Sequence, residues 1–524
     1  MGSEGDIAVE TVLAPRDARG DAILYFLDRF CELVLVLALL GELAAILANV
    51  ASRVTLGTSF LWTDEVARLA LSTLTFVGGI VAYRRDDHAF IRVLLNALPP
   101  ALARACLALA DLLVLLIAAV TVTTSLPVVE SGWGEVTPIL QLPAAWIALP
   151  LTLSMALLGL YALERLRREH GVMTFIVGVP LAVLFAAAFT WRAAWLPWFA
   201  GDVAIAASLL LLLAVIMAGL PVGFALLLAA ASYLWTADTV PMAALAQNIV
   251  SGTGNFVLLA LPFFIFAGLI MERGGISLRL IHFVHALVGH LRGGLLQVMV
   301  LSMYLVSGLS GSKSADVAAV GSVMRDMLRR KGHTAAEGAA VLAASATMGE
   351  TVPPSIAMLI LGSITKLSMA ALFIAGLVPA AVIALCLMVL IYLRARRSGM
   401  APSRRTAFRP LLKAGLNAVL PLLMPVMLFA GILTGIATPT EVSSFAVVYG
   451  LFLAVVLYRE MDLKSFARTV VDSAALTGLV LFILAAASAF SFSLTIAYVP
   501  QRLVELLHGI HDSVPLFLIG SLIL

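Results

Sequence analysis

The stretch "GLSGSKSADVAAVG", Gly308–Gly321, is small and polar, and it interrupts a long apolar run. Arg292 precedes it, and "RDMLRRKGH", residues 325–333, follows it. Lys and Arg collect on the cytoplasmic side of membrane proteins, so both flanks read as lying on the same side. About 32 residues separate Arg292 from Arg325, broken in the middle at "SGLSGSKS". Each half, as helix, reaches ~24 Å, short of a hydrocarbon layer of about 30 Å. The spacing therefore predicts a re-entrant helical hairpin with its tip near the membrane midplane. Close helix packing is the competing use of such small residues; the matched basic flanks favour the hairpin.

A tip at that depth exposes helix ends with unpaired backbone groups. Only a protein-lined or wet cavity satisfies them. The first arm ends in carbonyls, which attract cations. The second begins with N–H groups near Ser314–Asp316, which attract anions or are capped. About 40 residues on, the segment "AAEGAAVLAASATMGETVPPSIAMLILGSITK" is too long for one span and breaks at "GETVPPS". Pro353 and Pro354 remove two backbone donors and disfavour helix before them, freeing carbonyls around Gly349–Val352 inside the membrane. Glu350 is an intramembrane carboxylate, which is functional by default; the competing reading is a kinked helix with Glu350 paired. Broken helices near the midplane recur at the binding sites of secondary transporters.

Composition explains why lipid is the solvent. The 524 residues are 62% hydrophobic and 12% charged, against roughly 25% charged in soluble domains, and the mean hydropathy is +1.07. The apolar runs are continuous, as in Leu33–Leu47, which excludes the alternating strands of a barrel. The fold class expected is an all-α polytopic membrane protein. A net charge of +3 in short clusters gives no nucleic-acid footprint. Cys31, Cys106 and Cys386 fall in apolar runs with no CxxC and read as packing residues. Residues 1–20 contain no cleavable signal pattern.

Basic loops set the expected topology. Arg16, Arg19 and Arg29 precede the first span, "YRRDDHAFIR" follows the second, and "ERLRREHG" closes the fourth. The N-terminus is thus expected in the cytoplasm, with Arg53 and Arg68 as exceptions. A fifth span at about 174–191 leads out. A pair at about 203–218 and 222–235, joined at "GLPVG", enters and leaves again. The segment from Glu272 to Gly294 reads as a basic amphipathic helix at the cytoplasmic interface.

These motifs carry a family resemblance. "SGLSGSKSADVAAVGSVM", "GETVPPSIAMLILGSITKLSMAALFIAGLVPA", "LALPFFIFAGLIMERGG" and "GIATPTEVSSFAVVYG" closely resemble the large membrane subunit of tripartite ATP-independent periplasmic (TRAP) transporters. "WTDEVARLALSTLTFVGGIVAYRRDDHAFI" resembles the small membrane subunit. The resemblance covers about residues 25–524 and implies fused small and large permeases. The implied organisation is a cytoplasmic segment at 1–24, a four-helix scaffold at 25–168, a linker helix at 169–200 and a transport domain at 201–524. It implies an elevator-type fold with inverted repeats in the bacterial inner membrane. It implies Na⁺-coupled uptake of an organic acid, a carboxylate such as a dicarboxylate or sugar acid, delivered by a periplasmic substrate-binding protein. Cofactors are none, Na⁺ being the coupling ion. Matched by position, a Na⁺ site falls on Ser310, Ser312, Gly349, Val352 and Pro354, and substrate contacts on Ser312, Ser314, Asp316 and Thr351. A second hairpin and second Pro-Pro break are missing before Leu524, so the second repeat reads as truncated.

Trp62, Glu65 and Arg68 open the second span, either as an interfacial anchor with an i,i+3 pair or as a scaffold contact. His88, in a basic loop, reads as solvated or lipid-facing. Glu441 in "TPTEV" reads as a helix N-terminal acid or a cross-link. "GSKS" lacks the context of a phosphate loop, and no His/Cys cluster points to metal or haem, so no enzyme activity is expected. The alternative function is a channel or passive pore for small anions.

Overall fold

The computed structural model describes residues 22–91, 93–191, 194, 201–310, 313–507 and 513–523. Among these, ten helices are long and apolar enough to cross a membrane. No strand forms, and the one isolated bridge pairs Val136 with Pro143. The reason is the solvent. Helices satisfy their own backbone groups, so long Leu/Ala/Val runs become helices in lipid. Their outward faces stay apolar, as at Val378, Val382 and Leu385.

In chain order the helices are α1 (Ala22–Leu56), α2 (Trp62–Arg84), α3 (Val93–Ala97), α4 (Pro100–Gly132), α5 (Ala145–Arg165), α6 (Val172–Thr190), α7 (Asp202–Met217), α8 (Val222–Ala237), α9 (Ala243–Ser251), α10 (Ala260–Arg273) and α11 (Ile276–Val288). There follow α12 (Gly294–Ser310), α13 (Lys313–Arg330), α14 (Ala335–Ala346), α15 (Ile356–Thr365), α16 (Met369–Arg397), α17 (Phe408–Leu433), α18 (Pro439–Leu451), α19 (Leu463–Ile496), α20 (Val499–Leu507) and α21 (Val514–Ile523).

Ion pairs define two faces. At the arginine-rich face Arg84 meets Asp28 at 3.3 Å and Glu164 at 3.0 Å, and Arg85 meets Glu32 and Asp472, each at 3.0 Å. Arg273 closes on Asp472 at 2.7 Å. The start of α1, the ends of α2, α5 and α10, and the start of α19 therefore share that face. At the opposite face Arg53 pairs with Glu441 at 2.7 Å, and Arg502 pairs with Asp202. The backbone N–H of Val222 donates to Ala89 O at 3.2 Å, which brings the α7–α8 turn to the arginine-rich face. The short pair thus enters and returns, as the segment after it, residues 235–256 with no Lys or Arg, predicts.

Three large apolar cores and a small one at Val129, Ala145 and Ala148 form among the described residues. One joins α1, α2, α10, α18 and α19 through Leu35, Leu71, Phe263, Val447 and Leu481. A second joins α2, α4, α5, α8 and α19 through Phe76, Val114, Leu158, Phe224 and Phe482. The third holds α11–α13 and α16 with Val284, Met299, Met303, Met324 and Ile391. Between the first two cores, α2 and α19 cross at Gly78 and Gly478. A Cβ on Gly78 would sit 2.7 Å from Gly478 Cα, so two backbones touch where only glycine fits.

His88 corrects the sequence reading. It is 5% exposed, with Nε2 2.8 Å from Gly79 O and its ring packed against Phe224, Phe482 and Tyr83. The loop turns back on itself at Asp86, where φ is +58° and Asp87 N–H donates to Ala82 O. That turn tucks the imidazole into the second core instead of leaving it in solvent or lipid. Cys386 also departs from expectation: it is exposed on α16, whereas Cys31 is buried.

Candidate functional site

The two hairpin arms are α12 and α13, 17 and 18 residues long. Their outer ends meet on the arginine-rich face, because Gly293, Gly294 and Lys331 line the same cavity there. The two arms therefore run antiparallel. Gly311 and Ser312 lie outside the described residues, as do the side chains of Ser310 and Ser314, so their expected roles have no geometry. Asp316 lies in the first turn of α13 and is 1% exposed.

The partner of the tip is the second break. Helix α14, capped by Thr334 Oγ1 accepting from Glu337 N–H, tightens into a 3₁₀ turn at Thr347–Glu350. Met348 O accepts the N–H groups of Thr351 and Val352 at 2.9 and 3.1 Å and the Thr351 hydroxyl at 2.8 Å. Continuing the α-helix would need donors from residues 353 and 354 to the Gly349 and Glu350 carbonyls. Both are proline and have no N–H. The helix stops, and α15 restarts only after Ser355, whose hydroxyl accepts from Met358 N–H. Gly349, Val352, Pro354 and Ser355 are buried at this break, and the Thr351 carbonyl lies against α16 at Gly376. Glu350 is exposed.

The break and the first arm touch. A Cβ added at Gly308 would stand 3.2 Å from Val352 Cγ1 and 3.5 Å from Pro353 O. So Val352 and Pro353 meet the last turn of α12, just before Ser310. Chemically, this sets the last described turn of α12 against a buried break whose carbonyls have lost their helical donors. Hard oxygens of that kind suit an alkali cation stripped of water. No group of three or more His, Cys, Asp or Glu that could hold a metal ion forms among the described residues.

Trp62, Glu65 and Arg68 stand together at the other face. Trp62 stacks on Phe60 at 6.0 Å. Glu65 accepts the N–H groups of Ile139 and Leu140 at 2.8 and 2.9 Å, so it fixes the α4–α5 loop within the same four-helix part. Contacts between that part and the rest of the chain include Arg53–Glu441, Arg85–Asp472 and Gly78–Gly478, and α2 also meets the Phe256–Leu259 turn. Glu441 also closes a capping box with Thr438, so it caps a helix and cross-links two parts at once. Sequence reading passed over Asp472; a carboxylate about two and a half turns into a helix that starts on the basic side was the available signal. A second missed cluster is Asp111, which receives the Tyr83 hydroxyl at 2.8 Å and lies 2.9 Å from His170 Nε2.

Comparison with known proteins places these parts. Residues 43–170 match the family model "Tripartite ATP-independent periplasmic transporters, DctQ component", and residues 209–524 match the DctM component of the same transporters. The sialic acid TRAP transporter permease protein SiaT of Haemophilus influenzae is 28% identical over 496 residues, 91% of this chain and 79% of the relative. The C4-dicarboxylate TRAP transporter large permease protein DctM of Pseudomonas aeruginosa is 39% identical over 261 residues, 50% of this chain and 61% of the relative. The 2,3-diketo-L-gulonate TRAP transporter large permease protein YiaN of Escherichia coli is 34% identical over 302 residues, 58% of this chain and 71% of the relative.

Proposed function

Because this chain belongs to the tripartite ATP-independent periplasmic transporter family, with DctQ and DctM parts in one polypeptide, we propose that it couples organic-acid uptake to Na⁺. It is a transport protein of the membrane, not an enzyme. The cargo is a carboxylate, the chemistry common to the dicarboxylate, sialic acid and diketogulonate named for its relatives. A periplasmic binding protein hands it over on the face that carries Glu65 and Glu441. The arginine-rich face is cytoplasmic, since it holds the Lys and Arg excess.

The observation that carries the reading is the approach of Gly308 to Val352 and Pro353. It supports one Na⁺ site made by Ser310 and Ser312 with the Gly349, Val352 and Pro354 carbonyls. In this reading Ser314, Asp316 and Thr351 are the residues that bind the cargo. Na⁺ there neutralises the carbonyl dipoles and fastens the tip to the break, so a filled site is a different shape from an empty one. The α11–α16 body moves as an elevator against a fixed scaffold.

The test is uptake of labelled carboxylate into proteoliposomes holding the full permease, with its binding protein outside. Uptake should require an inward Na⁺ gradient and fall to background when K⁺ replaces Na⁺. Uptake that persists without the gradient would favour a passive pore.

A further inference from the structure

A second site lies far from the hairpin tip. A cavity of about 420 Å³ opens on the arginine-rich face where the α11–α12 loop, the end of α13 and the linker after α16 converge. Lys331, Arg404, His285 and His290 line it, with the hydroxyls of Ser403 and Thr406. No carboxylate is among the lining residues. The nearest acid on the adjoining turn, Glu337, is taken up by His333 at 3.0 Å. Gly293, Gly294 and Leu295 put the first turn of the 17-residue α12 at the wall, so the positive end of that helix adds to the field.

The cations are not neutralised from within. After burial, the neighbouring His282 and Lys331 hold the His285 imidazolium below its ordinary value. His285 thus contributes as a mainly neutral imidazole, while Lys331 and Arg404 bring two positive charges to an open cavity with no carboxylate in its lining, an arrangement that an anion relieves. Hydroxyls, imidazoles, an ammonium and a guanidinium supply many donors in one place, more than one carboxylate uses. They match the several acceptor oxygens of a phosphate. The cavity is larger than a phosphate ion and leaves room for an attached organic group. Leu287, two residues before Gly289, and Leu393 near the end of α16 are exposed apolar side chains on the same two elements. Basic pockets between helices at such a face suit phospholipid headgroups.

We propose that this cavity binds a phosphate-bearing anion, clamping the base of the hairpin to the α16–α17 linker. Two sources share that chemistry, an anionic phospholipid headgroup and free phosphate, and two assays separate them. The full chain is purified and stripped of lipid. Native mass spectrometry then counts retained phosphatidylglycerol against phosphatidylcholine. Thermal unfolding is followed with inorganic phosphate against chloride at equal ionic strength.

One of the two probes should bind, and the Lys331→Ala/Arg404→Ala protein should bind it roughly tenfold more weakly, a loss of about 1.4 kcal/mol. Both side chains are exposed, so the variant keeps its fold. Arg405→Ala, next to the cavity but not lining it, should match the wild type, and Arg404→Lys should keep most of the binding. Selective phosphatidylglycerol retention assigns the lipid source; a phosphate shift alone assigns the soluble one. Equal binding of both probes by wild type and double variant, or a response to succinate and not to phosphate, overturns the proposal.

Discussion

Two glycines show how differently the halves of this molecule are built. Gly478 lies where α19 crosses α2, backbone on backbone, in a region tied at one face by Arg84, Arg85, Arg273 and Asp472. Gly308 lies where the hairpin meets the Pro-Pro break, with Val352 Cγ1 3.2 Å and Pro353 O 3.5 Å from where a Cβ would stand. The first contact joins two continuous spans and is surrounded by ion pairs and aromatic rings. The second joins two interrupted helices, and the core behind it is rich in Met: Met299, Met303, Met324 and Met348. Thioether side chains are unbranched and adapt to changed neighbours. A region fixed by glycine crossings and charge pairs suits a scaffold. A region of short helices on a Met-rich core suits a moving part.

That contrast can be broken by substitution. Gly478→Leu should do the most damage. Its side chain has nowhere to go, and overpacking against backbone costs about 3 kcal/mol. Thermal unfolding of the purified protein should drop sharply; a stability near wild type would mean that the crossing is not tight. His88 comes next. Burial holds its proton uptake down to about 4, against 6.5 unperturbed. Between those values the unfolded chain binds more protons than the folded one, so stability falls as pH drops through that window. From pH 7.5 to pH 5 this amounts to about 2 kcal/mol. His88→Gln should lack that slope, though other titrating groups keep theirs.

Gly308→Leu tests the other half. It should pry the tip from the break and cut Na⁺-dependent uptake at least tenfold, about 1.4 kcal/mol, while unfolding shifts little. Equal losses of uptake and stability would erase the distinction between the regions. Asp472→Asn should be the mildest. Its carboxylate is 37% exposed and serves both Arg85 and Arg273, so the loss is about 1 kcal/mol.

The sequence makes the hairpin and the Pro-Pro break readable because each is a local conflict. Polar residues interrupt a span, arginines flank it on matching sides, and prolines remove donors at known positions. The α7–α8 pair is legible for the same reason. What stays hidden depends on distant partners. Gly78 and Gly478 are 400 residues apart in the chain, and a lone glycine in a span carries no mark of what it will meet. His88 sits in "RRDDHAF", a string that reads as solvated; its burial follows from the Asp86 turn and from Phe224 and Phe482, which arrive from other helices. Glu65 reads as a local pair, and its bonds to the α4–α5 loop appear only when the loop folds over it.

The central claim is that the hairpin tip and the Pro353–Pro354 break together bind Na⁺. The most direct measurement is the unfolding temperature of the purified full chain in NaCl against KCl at equal ionic strength, for the wild type and for Ser310→Trp/Ser312→Trp. Ligand that binds only the folded state raises that temperature. The account predicts a Na⁺-specific rise in the wild type, absent from the variant, with both proteins unfolding alike in KCl. A Na⁺-specific rise of the same size in both proteins, or in neither, would contradict it.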